Sequence, residues 1–378
     1  MDQKTYLQYW SALYRADLTD NILPFWLEHG LDRKHGGIYT CLDREGKLMD
    51  PTKSVWFQGR FAFVCSFAYN QVERRPEWLD AARQTLDFIE QHCFDADGRM
   101  YFEVAADGTP LRMRRYVFSE SFAAIAMAEY ALATGNQSYA EKALKIFKDM
   151  RRFLTTPGLL APKYLPSVEA QGHSITMIMI NVASRLKKVI ADPELDRQID
   201  ESLFKLKNDF MHPEFKALLE TVGPAGEFID TCNGRVINPG HCIETAWFLF
   251  DVAMDRGGDK NLIDLGMTIL NWSWDWGWDE TYGGIINFRD CRNLPPQDYS
   301  QDMKFWWPQT EAIIANLYAY KLTGNELYLK RHRQVSEWRT GISPITNLAS
   351  GTAICIVTAP WPSRPRVTCS RARSTYPA

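Results

Sequence analysis

Apolar residues recur at helical spacing over long stretches of the chain, with polar positions between them. The clearest stretches are 121–134, 140–154 and 244–255, where apolar side chains stand three and four positions apart. That spacing gathers them on one face of a helix, so each stretch is predicted to be an amphipathic α-helix. Short glycine-bearing loops, each with a brief extended piece, separate the helical stretches.

The glycine-bearing loops recur about every 60 residues, which is the length of two helices with their connections. They are 32–39, 95–102, 156–161, 213–220 and 279–286. The first and the last are related, because each reads Asp, three residues, then Gly-Gly-Ile. A helix pair cannot bury its apolar face alone, so such repeats must stack, and closing them into a ring removes the exposed ends. The pattern therefore predicts an all-α fold, an (α/α)6 barrel (toroid) of six helical hairpins with the last hairpin incomplete; an open superhelix of helix pairs is the alternative.

The chain changes character near residue 340. We expect residues 1–340 to form the catalytic barrel domain, whereas residues 341–378 are rich in Ser, Thr, Pro and Arg and have no helical periodicity. One interpretation is a disordered basic tail. The other interpretation is translation in a shifted reading frame. When each codon is rebuilt from the third base of one residue and the first two bases of the next, residues 349–362 can be decoded as a Gly-rich turn followed by an extended aromatic segment. That decoded piece resembles the missing sixth loop, so the tail at 341–378 is predicted to be aberrant.

Composition argues against several classes of function. The 378 residues carry a net charge of −3 and are 46% hydrophobic, which is unlike a nucleic-acid binder or a basic membrane-surface protein. The opening residues lack the apolar run of a signal peptide and no stretch is apolar enough to span a bilayer, so we expect a cytoplasmic protein. The eight cysteines show no Cys-x-x-Cys pair and no metal-ligand spacing, which predicts reduced thiols and no metal site.

The strongest candidate for chemistry stands at the start of an apolar helix that follows a Pro-Gly turn. His241 and Glu244 are three residues apart there, and a helix entrance can hold a histidine and a carboxylate rigidly for proton transfer. Glu311 supplies a second acid at the start of another apolar helix, after two adjacent tryptophans. The alternative is a capped helix whose histidine is merely buried.

Four motifs stand in order along the chain. They are Trp56-Phe-Gln-Gly-Arg60, Tyr116-Val-Phe-Ser-Glu-Ser121, Asn238-Pro-Gly-His241 with Glu244 and Trp247, and Trp306-Trp-Pro-Gln-Thr-Glu311. Together they resemble the N-acylglucosamine 2-epimerase family, within the wider group that includes cellobiose 2-epimerases. The resemblance runs from Asp17 to about Trp338 and implies an (α/α)6 barrel, in agreement with the repeat. Relatives that act on cellobiose or mannose share several elements, but the Asn-Pro-Gly-His form is closer to the N-acyl-sugar members.

The resemblance implies a sugar 2-epimerase that interconverts N-acetyl-D-glucosamine and N-acetyl-D-mannosamine by inversion at C2 of the open-chain sugar. The neighbouring carbonyl makes the C2 hydrogen acidic, and inversion needs a base on one face and an acid on the other, which suits two histidines. By resemblance, His241 is one of them. The other is the histidine of the family's Phe-His-x-Pro-Arg ending. Its codon would straddle those of Ser374 and Thr375, so this chain lacks that histidine and we expect its epimerase activity to be impaired.

The resemblance also assigns supporting roles. Arg60 would stabilise the enolate oxygen, and Glu311 and Glu244 would orient and polarise His241 or bind sugar hydroxyls. The substrate-binding candidates are Glu244, Trp307, Trp247, Trp56, Tyr116 and His173. The structural alternatives are a surface ion pair for the arginine, helix caps for the glutamates and plain core for the aromatic residues.

No redox cofactor or metal is expected for this chemistry. The resemblance allows ATP as an allosteric activator and a homodimer as the assembly, with a small-molecule sugar as substrate and no nucleic-acid or membrane partner. Cellobiose 2-epimerase and mannose isomerase are the nearest alternatives. From other classes, a glycoside hydrolase on the same barrel would need two facing carboxylates, and a protein-binding barrel would need no catalytic group.

Overall fold

The computed structural model of the protein describes residues 2–164, 167–342 and 354–355, and its regular structure is mostly helical. The α-helices are α1 (Gln3–Ala16), α2 (Leu23–Phe25), α3 (Val55–Gln71), α4 (Pro76–His92), α5 (Phe118–Thr134), α6 (Gln137–Thr155), α7 (His173–Leu186), α8 (Pro193–Lys205), α9 (Pro239–Asp255), α10 (Lys260–Gly277), α11 (Trp306–Thr323) and α12 (Glu326–Ile342). Three π-helical segments extend this set: Asp17–Ile22, Trp26–Gly30 and Leu206–Phe210. The helices predicted from apolar spacing are confirmed in α5, α6 and α9.

Short antiparallel strands occupy the connections between helix pairs. They are β1 (Cys41–Leu42), β2 (Leu48–Asp50), β3 (Lys53–Ser54), β4 (Glu103–Val104), β5 (Pro110–Arg112), β6 (Gln171–Gly172), β7 (Met211–His212), β8 (Ala217–Leu218), β9 (Thr221–Val222), β10 (Val236–Ile237), β11 (Arg289–Asp290), β12 (Lys304–Phe305) and β13 (Ile354–Cys355). The pairs are β1–β2, β3–β4, β4–β5, β6–β9, β7–β8, β10–β11 and β12–β13. These pairs correspond to the extended pieces that the sequence pattern places in the loops.

The described residues fall into two compact units. The first contains Met1–Lys163 and Val182–Asp196, and in it α3 packs against α4 and α5, while α5 packs against α6. Helix α5 is buried almost all round, because small alanine side chains let its neighbours approach closely. A side chain at Gly59 of α3 would meet the Phe122 backbone of α5 at 2.6 Å, so only glycine allows this helix contact.

The second unit contains Tyr164–Asn181 and the described residues from Arg197 onward. Helix α9 packs against α10 and α11, and α11 packs against α12. The apolar side of α9 is almost wholly buried, and its first turn follows directly from strand β10. The predicted aberrant tail lies almost entirely outside the described residues, so that prediction is untested.

The related first and last loops are each fastened by a lysine–aspartate ion pair and by a glutamine bonded to both backbone groups of one isoleucine, and we call these two contacts the loop clasp. In the first unit, the Lys53 ammonium donates to Asp32 Oδ2 at 2.7 Å and to the Gly36 carbonyl at 2.7 Å. The Gln58 side chain brackets Ile38, accepting from its N–H at 2.8 Å and donating to its carbonyl at 2.7 Å. The lysine and its aspartate partner are both buried, so the loop is fixed to the start of α3 by an ion pair away from water.

The second unit repeats the clasp. Lys304 donates to Asp279 Oδ2 at 2.7 Å, and Gln309 brackets Ile285 with two bonds of 2.8 Å. The predicted relation between the two loops is therefore confirmed, and it extends to a lysine and a glutamine that the sequence analysis did not single out. Each clasp fixes the entrance of a helix that carries candidate site residues, α3 in one unit and α11 in the other.

Candidate active site

The local sequence of α9 explains how His241 is held. Asn238 is the N-cap: its side-chain oxygen accepts the His241 backbone N–H at 3.2 Å, and Pro239 opens the helix. Gly240 is required for a different reason, since a side chain there would come within 2.4 Å of the Trp307 ring. The Asn-Pro-Gly-His motif thus starts the helix and admits an indole beside its first turn.

The His241 ring lies between a carboxylate and an aromatic ring. Its Nδ1 is 2.9 Å from Glu220 Oε1 and 3.1 Å from the Asn238 amide nitrogen. The Trp307 ring centroid is 5.2 Å from that of the imidazole. The His241 side chain is 23% exposed, so it is sheltered without being sealed off. This partial exposure favours the catalytic interpretation over a histidine that is merely buried.

Charges around His241 favour its protonated form. Burial lowers the pKa of this imidazole, but the charge and hydrogen bond of Glu220 outweigh burial, and the pKa is raised overall. The charges of Glu244 and Glu311 act in the same direction. Burial raises the pKa of Glu220, yet the nearby charges and hydrogen bonds of His241 and His173 hold it well below its usual range. Glu220 is therefore ionised when it faces the histidine.

Glu220 is the site residue that sequence reasoning missed. It lies between β8 and β9, at the end of the predicted loop 213–220, and nothing in its local pattern marks it. Its role comes from its place beside His241, which only the fold provides.

His173 takes a place different from the one predicted for a sugar-binding side chain. Its side chain is fully buried at the start of α7. The ring Nε2 lies 3.1 Å from Thr245 Oγ1, and Nδ1 lies 3.5 Å from Glu220 Oε1. A ring without exposed surface is placed to support its neighbours, and the predicted contact of His173 with substrate stays a prediction.

Glu311 is bound by an indole. The Trp247 N–H donates to Glu311 Oε2 at 2.7 Å, which joins α9 to α11. The carboxylate in contact with His241 Nδ1 is that of Glu220. That Glu311 and Glu244 polarise the imidazole or bind sugar hydroxyls stays a prediction. Glu311 and Glu244 act on the imidazole through their charge. The cap of α9 is supplied by Asn238, so capping does not explain Glu244.

The remaining predicted site residues belong to the first unit. Arg60 is exposed on α3, with its guanidinium carbon 4.1 Å from the centre of the Phe122 ring. Trp56 and Tyr116 both contact Phe118, at centroid distances of 5.4 and 5.2 Å. Among the described residues, the buried Trp56 indole N–H finds no hydrogen-bond partner. Trp56 and Tyr116 thus share one aromatic cluster beside α5.

Two further features bear on ligands and location. In the part of the chain that the structure describes, no group of three or more His, Cys, Asp or Glu side chains is placed to hold a metal ion. Within those same residues, no helix combines the length and apolar character that crossing a membrane requires.

Comparison with known proteins identifies the family. Residues 37–340 match the family model described as N-acylglucosamine 2-epimerase (GlcNAc 2-epimerase). The chain belongs to this family. It is 33% identical over 346 residues to the N-acylglucosamine 2-epimerase of Bos taurus, covering 89% of this chain and 81% of the relative. It is 24% identical over 351 residues to a cellobiose 2-epimerase of Ruminococcus albus, covering 85% and 84% of the two chains.

A solved structure gives the fold. The cellobiose 2-epimerase of Bacillus thermoamylovorans B4167 matches with a TM-score of 0.80 at 20% identity, covering 92% of this chain and 91% of that one. The predicted (α/α)6 fold class and the predicted membership of the N-acylglucosamine 2-epimerase family are both confirmed. The chain is therefore a member of a family of isomerases that act on carbohydrates.

Proposed function

We propose that the protein is a sugar 2-epimerase that interconverts N-acetyl-D-glucosamine and N-acetyl-D-mannosamine. The observation that carries this proposal is the partly exposed His241 ring, held by Glu220 and flanked by Trp307 at the entrance of α9. The choice of N-acyl sugar is supported by the higher identity to the bovine N-acylglucosamine 2-epimerase, 33% against 24% for the cellobiose enzyme.

In this proposal, His241 takes the hydrogen from C2 of the open-chain sugar. The C1 aldehyde makes that hydrogen acidic, and its removal places negative charge on the aldehyde oxygen. A fixed cation would stabilise such an enolate; that Arg60 supplies it stays a prediction from the sequence. The Trp307 ring offers an apolar face on which the sugar can pack.

Return of a proton to the opposite face is the step that we expect this chain to perform poorly. The positions that would encode the second histidine, Ser374 and Thr375, lie outside the described residues. With His241 alone, one epimer would exchange its C2 hydrogen with solvent, but the proton would return to the face from which it left. Inversion would then be slow compared with exchange.

The experiment that tests the proposal is incubation in deuterated water with N-acetylmannosamine, cellobiose and mannose separately. We expect deuterium at C2 of N-acetylmannosamine or its epimer, detected by NMR, and no label with His241→Ala. A version of the gene with the reading frame restored should convert exchange into inversion. Deuterium label found only in cellobiose or only in mannose would show that the proposed substrate is wrong. Unchanged labelling by His241→Ala would overturn the proposed role of the histidine.

Two parts of the proposal concern regulation and assembly. We propose that ATP acts as an activator and not as a reactant, because C2 inversion consumes no nucleotide. Exchange measured with and without ATP tests this, and light scattering during the same experiment tests the proposed homodimer. Release of reducing sugar from an oligosaccharide would instead favour the hydrolase alternative.

A further inference from the structure

We infer that Glu220 is a positioning residue that keeps a proton on His241 Nδ1, so that the opposite nitrogen, Nε2, is the atom presented to C2. The inference rests on the proposed function for the role of His241, but its first test does not. It assigns to Glu220 the orienting role that the sequence analysis gave to Glu311 and Glu244.

The proton assignment follows from the two polar neighbours of Nδ1. Glu220 Oε1 lies 2.9 Å away, and an ionised carboxylate can only accept a hydrogen bond. The Asn238 amide nitrogen lies 3.1 Å away and can only donate. The amide cannot be turned to present its oxygen, since that oxygen accepts the His241 backbone N–H at 3.2 Å. Nδ1 therefore faces one hydrogen-bond acceptor and one hydrogen-bond donor.

The charge of Glu220 determines that Nδ1 donates to the carboxylate and does not accept from the amide. A hydrogen bond from an imidazole N–H to a carboxylate is charge-assisted and about twice as strong as one between neutral groups. The carboxylate contact is also the shorter of the two, 2.9 against 3.1 Å. Nδ1 therefore carries hydrogen, and in the neutral ring Nε2 carries the lone pair that a base requires.

The backbone of Glu220 is fixed on both sides. Its N–H donates to the Val236 carbonyl at 3.0 Å, and its carbonyl accepts the His173 N–H at 3.0 Å. These bonds tie the segment between β8 and β9 to β10 and to the first residue of α7. The carboxylate is consequently presented from a rigid support.

The side chain of Glu220 is connected through His173 and Thr245 to the backbone of His241. The buried His173 places Nδ1 3.5 Å from the same Oε1 atom that faces His241. The other ring nitrogen of His173 lies 3.1 Å from Thr245 Oγ1, and this hydroxyl lies 2.8 Å from the His241 carbonyl. His173 and Thr245 thus connect the carboxylate back to the helix turn that carries the catalytic candidate.

Other charged groups around His241 could influence the same proton. Glu244 on α9 and Glu311 on α11 both favour protonation of the imidazole, but less strongly than Glu220. His173 on α7 faces the carboxylate, and burial together with the Glu220 charge keeps the Cys242 thiol protonated. None of these groups is the acceptor at Nδ1, so a neutral replacement of Glu220 should have a distinct effect.

The decisive variant is Glu220→Gln, compared with Glu244→Gln as a matched loss of one carboxylate. Glutamine keeps the shape but loses the charge, so its neutral carbonyl no longer outweighs the Asn238 donor at Nδ1, and its own amide can also donate there. The proton should move to Nε2. In protein labelled with ¹⁵N-histidine, the His241 signals, identified by their loss in His241→Ala, should change from the Nδ1–H to the Nε2–H form in Glu220→Gln only.

Kinetics of C2 hydrogen exchange provide a second readout. In Glu220→Gln we expect exchange to fall about 10²-fold or more, as when a wrong histidine tautomer is imposed. The acidic limb of the pH profile should move down by about one pH unit or more, since a neighbouring charge is lost. Glu244→Gln should move the limb less. A purely structural role would lower the melting temperature without moving the limb or the tautomer.

The outcomes separate this inference from the proposed function. A folded Glu220→Gln protein that retains the Nδ1–H form overturns the inference, whatever its activity. A tautomer change in Glu220→Gln, together with no C2 hydrogen exchange in any of the sugars by the unsubstituted protein, supports the inference and overturns the proposed function. Equal limb shifts in the two glutamine variants would likewise contradict a special place for Glu220.

Discussion

Replacing Lys53 with methionine tests the loop clasp of the first unit. Methionine keeps most of the apolar stem but removes the ammonium, which donates to Asp32, Gly36 and Ala106 at 2.7 Å each. The side-chain exposures of the lysine and the aspartate are 0% and 1%, so water cannot replace the lost partner. Breaking a buried ion pair by removing one member costs about 3–5 kcal/mol of unfolding free energy.

The remaining bonds of Asp32 set the expected value within that range. Its carboxylate also accepts the backbone N–H groups of Lys34 and His35, at 2.9 and 3.1 Å. Burial raises the pKa of Asp32, but the hydrogen bonds from Lys53 and the two N–H groups hold it below its usual value. Because the N–H bonds survive the substitution, we expect a loss near the lower end, about 3 kcal/mol.

Lys304→Met in the second unit is the matched control. It removes the equivalent ammonium at the same 2.7 Å from Asp279, whose side chain is 17% exposed. Water can reach this carboxylate, so the expected loss is smaller, about 1–3 kcal/mol.

The assay is urea unfolding followed by tryptophan fluorescence, with the change in midpoint converted through the slope of the transition. Two results would refute the reasoning: a loss below about 1 kcal/mol for Lys53→Met, or a larger loss for Lys304→Met than for Lys53→Met. Asp32→Asn combined with Lys53→Met should recover part of the stability, because no buried charge is then left unpaired.

Three further predictions concern the second unit. His241→Ala should abolish C2 deuterium labelling, and in the unchanged protein labelling should decrease as the pH falls through the raised pKa of His241, because only the neutral ring accepts a proton; labelling that grows toward acid would contradict this. Gly240→Ala should displace Trp307 and raise the KM for sugar about 10-fold or more with little change in helix content by circular dichroism; an unchanged KM would remove the indole from the binding site. Trp247→Phe should leave Glu311 without its indole donor and slow exchange about 10-fold, whereas Phe248→Leu nearby should not.

Much of the fold follows from local pattern. Apolar residues three and four apart fix which stretches form helices, as in α5, α6 and α9, because helical spacing acts within one turn. Glycine marks the loops, since a Gly-Gly pair with positive φ stands in each of the two related loops, at 36–37 and 283–284. The Asn-Pro-Gly-His motif likewise places His241 at a helix entrance through a cap only three residues away.

The partners of His241 could not be predicted in this way. Glu220 lies 21 positions before it, and the His173–Thr245 contact joins residues 72 apart. No periodicity operates over such separations, so the carboxylate in contact with Nδ1 was assigned to glutamates that are near in sequence or near a tryptophan motif. The same limit hid Lys53, whose acceptor Asp32 is 21 residues away.

The sequence by itself therefore determined the helices, the loops and the family, and it predicted His241 as the proton carrier. Tertiary structure decided which carboxylate faces that histidine and that His173 is buried next to this carboxylate. It also decided that two loops far apart in sequence are held by the same lysine–aspartate and glutamine contacts. The physical reason is that helix and turn preferences depend on neighbours along the chain, whereas proton positions depend on charges that only folding brings within about 3 Å.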